Sequence, residues 1–395
     1  MPDPAGRDAA RGATLSPVVG AQLPRLIAAQ ICIHGCLTGL RMAAPLWALR
    51  TYDSPVVAGV LLALFAVSQV LMALPAGRYV DRHGLTRPLG ISVLLACAGA
   101  VLPALHPAVL SLALGALLTG AASGLTVIAL QRHIGHLARD GEDRRRLFSW
   151  LAIGPSVSNV VGPMLAGFVI DAAGFRAAFF ALALLPLLAW MVAHGMAPTV
   201  ARAPDTGGKR HGAWKLLRHP RFAHLLFVNW VLSSSWDVYT FMVPVIGHHH
   251  DFSASAIGTI LGVFAAATAM VRVLMPWLAR HLRERQVLIA ALLTTALSFS
   301  IFPLMTTPWG MAACSAVLGL ALGSVQPMIM SNLHQLVPPE RVGEAIALRL
   351  MVINASSVVL PLILGPTGVL LGTSMLFWVV GSAAAGGAWV ARRIS

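Results

Sequence analysis

The sequence predicts an all-α membrane protein with twelve transmembrane helices in two pseudo-symmetric six-helix bundles. Three observations carry this: the composition, the spacing of the apolar runs and one long polar interruption near the middle. Of 395 residues, 57% are hydrophobic and only 11% are charged, with a mean hydropathy of +0.78. An ordinary soluble domain is roughly a quarter charged. With so few charges the exterior itself must be apolar, so its solvent is lipid.

A spanning helix needs about 20 predominantly apolar residues. Runs of that kind begin near Pro24, Val56, Pro88, Val109, Leu147, Phe175, Phe222, Ala254, Gln286, Pro308, Val342 and Gly368. Most links are short, so neighbouring helices should be antiparallel. The long polar stretch, PTVARAPDTGGKRHGAWKLLRHPR at 198–221, falls between the sixth and seventh runs. The chain therefore divides into a polar tail (1–23), a first six-helix bundle (24–197), a basic linker (198–221) and a second bundle (222–395). The tail lacks the charged-then-apolar order of a signal peptide. GVLLALFA from Gly59 and GTILGVFA from Gly258 share Gly, Leu, Phe and Ala at an offset of 199 residues, and they open the second and eighth spans. With the six-plus-six layout, that repeat implies two related halves around a central cleft.

The net charge of +14 would ordinarily suggest nucleic acid as a partner. Here the charges lie in short segments between apolar runs, which is how membrane orientation is encoded. With the N-terminus inside, 23 of the 28 Lys and Arg fall on the inner side, Arg50 and Arg176 fall on the outer side, and Arg41, Arg272 and Arg349 lie within spans. Both termini are expected in the cytoplasm, and no nucleic-acid partner is expected. Cys32, Cys36, Cys97 and Cys314 show no metal spacing and no disulfide framework, and read as small packing residues. The outer-loop run His248 to Asp251 holds three adjacent histidines, whose side chains do not converge on an ion without a particular turn, so no metal is expected.

Two stretches carry mechanism. The loop between spans two and three reads GRYVDRHGLTR, Gly77 to Arg87. Gly77 and Gly84 permit a tight turn there. Asp81, followed by Arg82, can accept hydrogen bonds from a neighbouring helix N-terminus and so latch one conformation. Span five reads GPSVSNVVGPMLAG, Gly154 to Gly167. Its small residues allow close helix approach, while Pro155 and Pro163 bend it, which suits an interface between moving halves.

At Gly77, Asp81, Arg82 and Gly84 the loop matches the signature of the major facilitator superfamily, and the chain resembles that family. Gly154, Gly162, Pro163, Ala166 and Gly167 are similar to the fifth-span motif of its antiporters, with Ala166 in place of a glycine. The resemblance implies a secondary active transporter of a small organic solute working by alternating access. It points to the drug or metabolite:proton antiporter branch, an efflux permease. The implied setting is a bacterial inner membrane, with the bilayer and the solute as partners and a monomeric state. Protons are the expected coupling ion, and no resident cofactor is expected. The alternatives are import of an organic anion on the same fold and, more distantly, a receptor or sensor without transport. The chain departs from the pattern in three places. Leu85 stands where a basic residue is usual, span four has no arginine, and LARHLRER (Leu278 to Arg285) replaces an intact second copy of the loop signature. Paired carboxylates, an HExxH run and a nucleophile elbow, which would mark an intramembrane enzyme, are all missing from the spans.

Charges inside the spans supply the candidate site. An unpaired charge at the bilayer centre costs about 2.5–3.5 kcal/mol or more, so each needs a partner, a wet cavity or a ligand. Asp237 is the one acidic residue well away from a span end. Arg41 and Asp237 fall at similar depth in spans one and seven, the counterpart spans of the two halves. They could therefore meet across the cleft, with Arg41 as an anion anchor or as half of an outer gate with Asp237, the alternative being a purely structural ion pair. His34, Thr38 and Arg41 share one helix face, at spacings i, i+4 and i+7. His34 and Asp237 are the candidates for carrying a coupling proton. Arg349 is expected to serve a ligand from the inner half, to pair with Glu344 or to snorkel. Arg272 is expected to snorkel to the inner face.

Overall fold

The structure is a computed structural model that describes residues 17–138, 141–194, 213–278, 284–338 and 341–392. Its helices are α1 (Pro17–Tyr52), α2 (Pro55–His83), α3 (Thr86–Leu105), α4 (Val109–Leu137), α5 (Gly141–Leu151), α6 (Ile153–Ala193), α7 (Pro220–His249), α8 (Ala254–Leu278), α9 (Glu284–Ile301), α10 (Pro308–Leu336), α11 (Val342–Leu371) and α12 (Thr373–Ala391). No strand occurs among the described residues.

Among the described residues ten segments are long and apolar enough to cross a membrane, and one of them, Arg146–Ala193, is 48 residues long. It holds two crossings. At Gly174 the backbone takes φ 81 and ψ 175, a conformation glycine reaches without a Cβ penalty, and α6 folds there into two arms, 153–173 and 175–193. Both arms return to α1: Gly162 and Leu182 each lie against Gly39. The 30-residue α7 is not among the ten. Its Asn229, three serines and Asp237 lower its hydropathy, but most of its length is buried, so it crosses inside the bundle rather than against lipid. Separating the two arms and including α7 gives twelve candidate crossings among the described residues.

Several expected boundaries move. Leu147 lies in the short amphipathic α5, and the fifth crossing begins at Ile153. The last crossing begins at Thr373 rather than near Gly368, because α11 runs on to Leu371 before Gly372 (φ 83) ends it. Helix α1 already starts at Pro17, inside the expected tail. At the expected linker, Ala213–Arg218 forms a 3₁₀ turn and α7 starts at Pro220; 198–212 lies outside the described residues. Apolar side chains such as Leu71 (70%), Leu74 (75%) and Val273 (78%) are exposed on the bundle exterior, as lipid-facing positions are.

Antiparallel succession puts both termini on one face, the terminus face, and the links 53–54, 106–108, 174, 250–253, 302–307 and 372 on the opposite, far face. Lipid tails are as apolar as leucine, so helices associate in a membrane through close packing and hydrogen bonds. That is how the two halves meet. Gly59 on α2 lies against the Pro361 carbonyl on α11, and Gly258 on α8 lies against the Pro163 carbonyl on α6. Nearer the far face, Gly365 of α11 abuts Pro55 and Val56, while Gly167 of α6 abuts Ala254 and Ser255. A side-chain carbon at any of the four would overlap backbone. Each contact in one pair recurs in the other with residue numbers shifted by 198 or 199, the spacing of the sequence repeat. Within each half the rule also holds: Gly120 packs on Phe65 and Ser68, and Gly319 packs on Phe264 and Ala267.

Hydrogen bonds seal the far face across the halves. Asp171, just before the α6 bend, accepts from the backbone N–H groups of Ala254 (2.9 Å) and Ser255 (2.7 Å), capping the N-terminus of α8. Arg50 Nη2 donates to the Phe252 carbonyl (3.2 Å), and His248 Nε2 lies 3.2 Å from Asp53 Oδ1. Toward the terminus face α6 and α8 diverge, leaving an open cleft of about 1160 Å³. The molecule is therefore closed at the far face and parted at the terminus face.

Replacing the capping carboxylate should loosen that seal. Asp171→Ala removes a cap, which typically costs about 1 kcal/mol, equivalent to roughly a fivefold rise in the open-to-closed ratio at the far face. The check is the thiol-labelling rate of a cysteine placed at the fully buried Ala254, in a background without the four native cysteines. An unchanged rate would show that the cap does not hold the face shut.

Candidate functional site

Inward of the far-face seal lies a central cavity between the halves. Thr38, Arg41 and Met42 of α1, Leu62 of α2, and Asn159 and Pro163 of α6 line it from the first half; Trp236 and Thr240 of α7, and Leu261, Phe264 and Ala265 of α8, line it from the second. Its volume is about 60 Å³, room for a few water molecules and not for an organic solute.

Helical phase explains the lining. On α1, Thr38 and Arg41 are three residues apart, and on α7, Trp236 and Thr240 are four apart, so each pair presents one face. The Trp236 ring packs edge-on against Phe264 (4.6 Å between centroids), and Tyr239 stacks on Phe264 at 4.3 Å. This places an aromatic wall opposite the arginine. The Arg41 guanidinium makes no hydrogen bond and no ion pair within 4.0 Å to any described residue. It and Asp237 act on each other electrostatically.

The expected direct meeting of Arg41 and Asp237 does not occur. Asp237 is buried (7% exposed) and turns to α11, where Ser357 Oγ donates to its Oδ2 at 2.8 Å. The repeat gives the reason. Asp237 is the counterpart of Thr38, 199 residues earlier, whereas Ser357, at the 198-residue offset that relates Pro361 to Pro163 on the same two helices, is the counterpart of Asn159. Thr38 Oγ1 donates to the Ser158 carbonyl at 2.8 Å, so at this level α1 and α7 each bond the matching helix of their own half, through different groups. Arg41 therefore sits about one turn nearer the far face than the level of Asp237.

His34 is not among the cavity-lining residues. Two turns separate it from Arg41, about 10 Å along the axis, and the cavity is too short to reach it. Its Nδ1 lies 3.1 Å from Ser123 Oγ on α4, inside the first half. Arg349 is buried (4% exposed) and donates from Nε to Asn229 Oδ1 on α7 (3.0 Å), with Met330 Sδ 3.8 Å from Nη1. Its expected pairing with Glu344 fails because Arg341, one turn before Glu344, holds that carboxylate at 3.1 Å. Arg272 faces the α6–α8 cleft, and its Nε is buried without a hydrogen-bond partner, so it does not simply snorkel out.

At the loop signature, Gly84 ends α2 with φ 70, and its N–H bonds the Val80 carbonyl. Gly77 has open space around it, and Arg82 is exposed. Asp81 does not cap a helix; it forms an ion pair with Arg132 at the terminus-face end of α4. In the second half Glu284, within the expected degenerate copy, accepts hydrogen bonds from Ser331, the counterpart of Arg132, and from Gln335 (3.1 Å). Ala279 to Arg283 lie outside the described residues. The span-five motif faces two ways. Gly154 and Gly162 lie against Gln30 and Thr38 of α1 in the same half, whereas Pro163 and Gly167 meet α8 across the halves. Pro155 sits in the first turn of the α6 first arm. Among the described residues no group of three His, Cys, Asp or Glu could hold a metal, and His248 instead contacts Asp53.

Sequence reasoning missed Asn159, Trp236, Thr240 and Phe264 in the cavity and Asp171 in the seal. Asn159 lay inside the quoted span-five stretch, and Trp236 and Thr240 flank Asp237 on the same helix. The helical spacing around Arg41 and Asp237 was signal enough for those three. Asp171 at a helix end gave no comparable signal, because its partner is 83 residues away.

Comparison with known proteins agrees with this geometry. The family description Major Facilitator Superfamily matches residues 26–283 and 225–394. The chain is 26% identical over 342 residues to the tetracycline resistance protein, class C, of Escherichia coli, covering 82% of this chain and 84% of that one. It is 26% identical over 271 residues to the riboflavin transporter RfnT of Brucella anthropi, covering 64% of this chain and 63% of that one. The fold matches a crystal structure of a mutant form of the nucleoside transporter NupG with a TM-score of 0.75 at 13% identity, over 94% of this chain and 99% of that one. The matched family spans both halves and the cavity between them, and the chain belongs to the Major Facilitator Superfamily, a multi-pass membrane transporter of small solutes and not an enzyme.

Proposed function

We propose that the protein exports a small, ring-bearing organic solute across a bacterial inner membrane by alternating access, driven by protons. The observation that carries the reading is the Arg41 guanidinium. It stands without a hydrogen-bond partner in a cavity between two halves that are sealed at one face and parted at the other. Such a charge in a membrane interior calls for a polar or anionic ligand. The aromatic wall of Trp236 and Phe264 opposite it suits a flat ring system. Tetracycline and riboflavin, named for the two relatives, are fused-ring molecules rich in oxygen acceptors, which favours the same class of solute.

The terminus face is the cytoplasmic face on this reading, supported by the 23-to-2 distribution of Lys and Arg outside the spans. The structure then represents the inward-facing state, with the far-face seal on the outer side. The coupling proton is assigned to Asp237, the one carboxylate buried between spans near the cavity. Ser357 and the field of Arg41 hold it, so solute at Arg41 and proton at Asp237 influence one another. His34 is the second candidate, within the first half and linked to Ser123. Proton-coupled import of an organic anion is the second reading, favoured by the same unpartnered arginine.

Directed flux in proteoliposomes is expected to collapse on adding a protonophore. Asp237→Asn is expected to abolish the pH dependence of transport, with His34→Ala weakening it less. Wild-type pH profiles in both variants would remove the coupling assignment. Inverted and right-side-out vesicles decide between export and import.

Arg41→Ala should weaken solute binding by roughly tenfold or more, the value of one strong charge-assisted contact. Arg41→Lys should retain part of it, since charge survives while the planar fork is lost. Because Asp237 bonds Ser357 rather than Arg41, exchanging the two charges (Arg41→Asp with Asp237→Arg) should not restore activity. Recovery in the exchanged protein, measured by the same binding assay, would show that the two residues act as a gate pair.

A further inference from the structure

Between α6 and α8, on the terminus side of the central cavity, lies a second and larger cavity. It measures about 1160 Å³, above the range of ordinary small-molecule pockets, and is lined only from α5, α6, α8 and α10. Two arginines line it, Arg146 of α5 and Arg272 of α8, together with Ser149, Ser156 and Gln326. The rest of its wall is apolar, including Trp150, Ile153, Val157, Met270 and Val273.

Its position relative to the bilayer is readable from exposure. Val161 and Phe168 on the first arm of α6, and Val273 and Trp277 on α8, are exposed apolar side chains on crossing helices, so both helices stand on the lipid-facing perimeter. A gap between them opens sideways into the membrane as well as toward the terminus face. Arg272 lies six residues before the α8 end at Leu278, about 9 Å along the axis. Trp150 (47% exposed) and Trp277 (63%) stand at the same end, where tryptophans mark the interfacial layer. The cationic groups of the cleft are therefore near headgroup depth, and its apolar wall continues toward the acyl chains.

Arg272 supplies the independent sign of a missing ligand. Its Nε is buried and has no hydrogen-bond partner among the described residues, although a buried unsatisfied donor on a charged group is costly. Arg349, an arginine buried in the same half, has its Nε satisfied by Asn229. We propose that the cleft is a binding site for an anionic membrane phospholipid of the terminus-side leaflet. Its phosphate is held by Arg272 with Arg146 as the second charge, and an acyl chain lies along Ile153, Val157, Met270 and Val273. Basic pockets between spanning helices are where acidic headgroups dock. Guanidinium favours phosphate because it offers several donors in one plane. The site exists only while α6 and α8 are parted, so bound lipid stabilises the far-face-closed state.

The test is lipid retention by the full-length protein in detergent, read by native mass spectrometry with added phosphatidylglycerol, phosphatidylcholine or inorganic phosphate. Phosphatidylglycerol should be retained over phosphatidylcholine. Arg272→Gln should lower its affinity roughly tenfold, Arg146→Gln should lower it less, and Arg272→Lys should keep part of it. Ser156→Glu leaves both arginines in place but adds a repelling charge, so it should also reduce retention, and it guards against loss of folding in the arginine variants. Equal retention by wild type and Arg272→Gln, or equal retention of both lipids, overturns the proposal. Displacement of phosphatidylglycerol by inorganic phosphate at equal concentration also overturns it, by making the ligand a soluble anion. None of these measurements requires transport, so they stand apart from the direction and coupling of solute movement.

Discussion

Everything in this molecule depends on how closely two helical halves can approach at the far face. In lipid no hydrophobic force drives helices together, so contact must come from backbone packing and hydrogen bonds. Four glycines, at 59, 167, 258 and 365, let α2 meet α11 and α6 meet α8 with carbonyls where side chains would otherwise stand. Asp171 adds two hydrogen bonds from the start of α8 to one of these contacts. Closure there sets the angle between the halves, and that angle opens the cleft at the other face. The cavity at Arg41 and the gap at Arg272 follow from this one geometry.

The same pseudo-symmetry explains how the fold treats its interior charges. It repeats contacts at a spacing of 198 or 199 residues, and the polar residues depart from it selectively. Thr38 and Asp237 occupy one position in the two halves, so where the first half has a hydroxyl bonded to the Ser158 carbonyl, the second has a carboxylate held by Ser357. Gln30 and Asn229 are likewise counterparts, both buried amides, and only Asn229 has an arginine against it. Function-bearing asymmetry is thus written as substitutions within a symmetric frame. Arg349 is satisfied inside its half, Asp237 is satisfied toward α11, and Arg41 is left facing the cavity.

Much of this was legible in the residues. The composition, the spacing of apolar runs and the mid-chain polar stretch follow from the solvent the chain must face. They gave the two-bundle plan, with edges that shifted by a few residues where Gly372 and the 3₁₀ turn at Ala213–Arg218 intervened. The repeat seen in eight residues at Gly59 and Gly258 proved to run through the whole interface. The depth estimate for Arg41 and Asp237 was close but misled about contact, because depth says nothing about which way a side chain turns. His34 shared a face with Arg41, yet a shared face is not a shared cavity when the cavity is shorter than two turns.

By itself, the sequence determined that the chain lives in lipid, crosses it repeatedly in two related halves and carries charges that must be accounted for inside. Those are consequences of local composition and period, which act within a span's own length. Only the tertiary structure decided that the far face is shut and the terminus face parted. It also decided that Asp81 pairs with Arg132, that Asp237 answers to Ser357, and that Arg272 borders the α6–α8 cleft. Each of these joins residues about 50 or more positions apart, and packing between whole helices selects the partner that no local pattern can name.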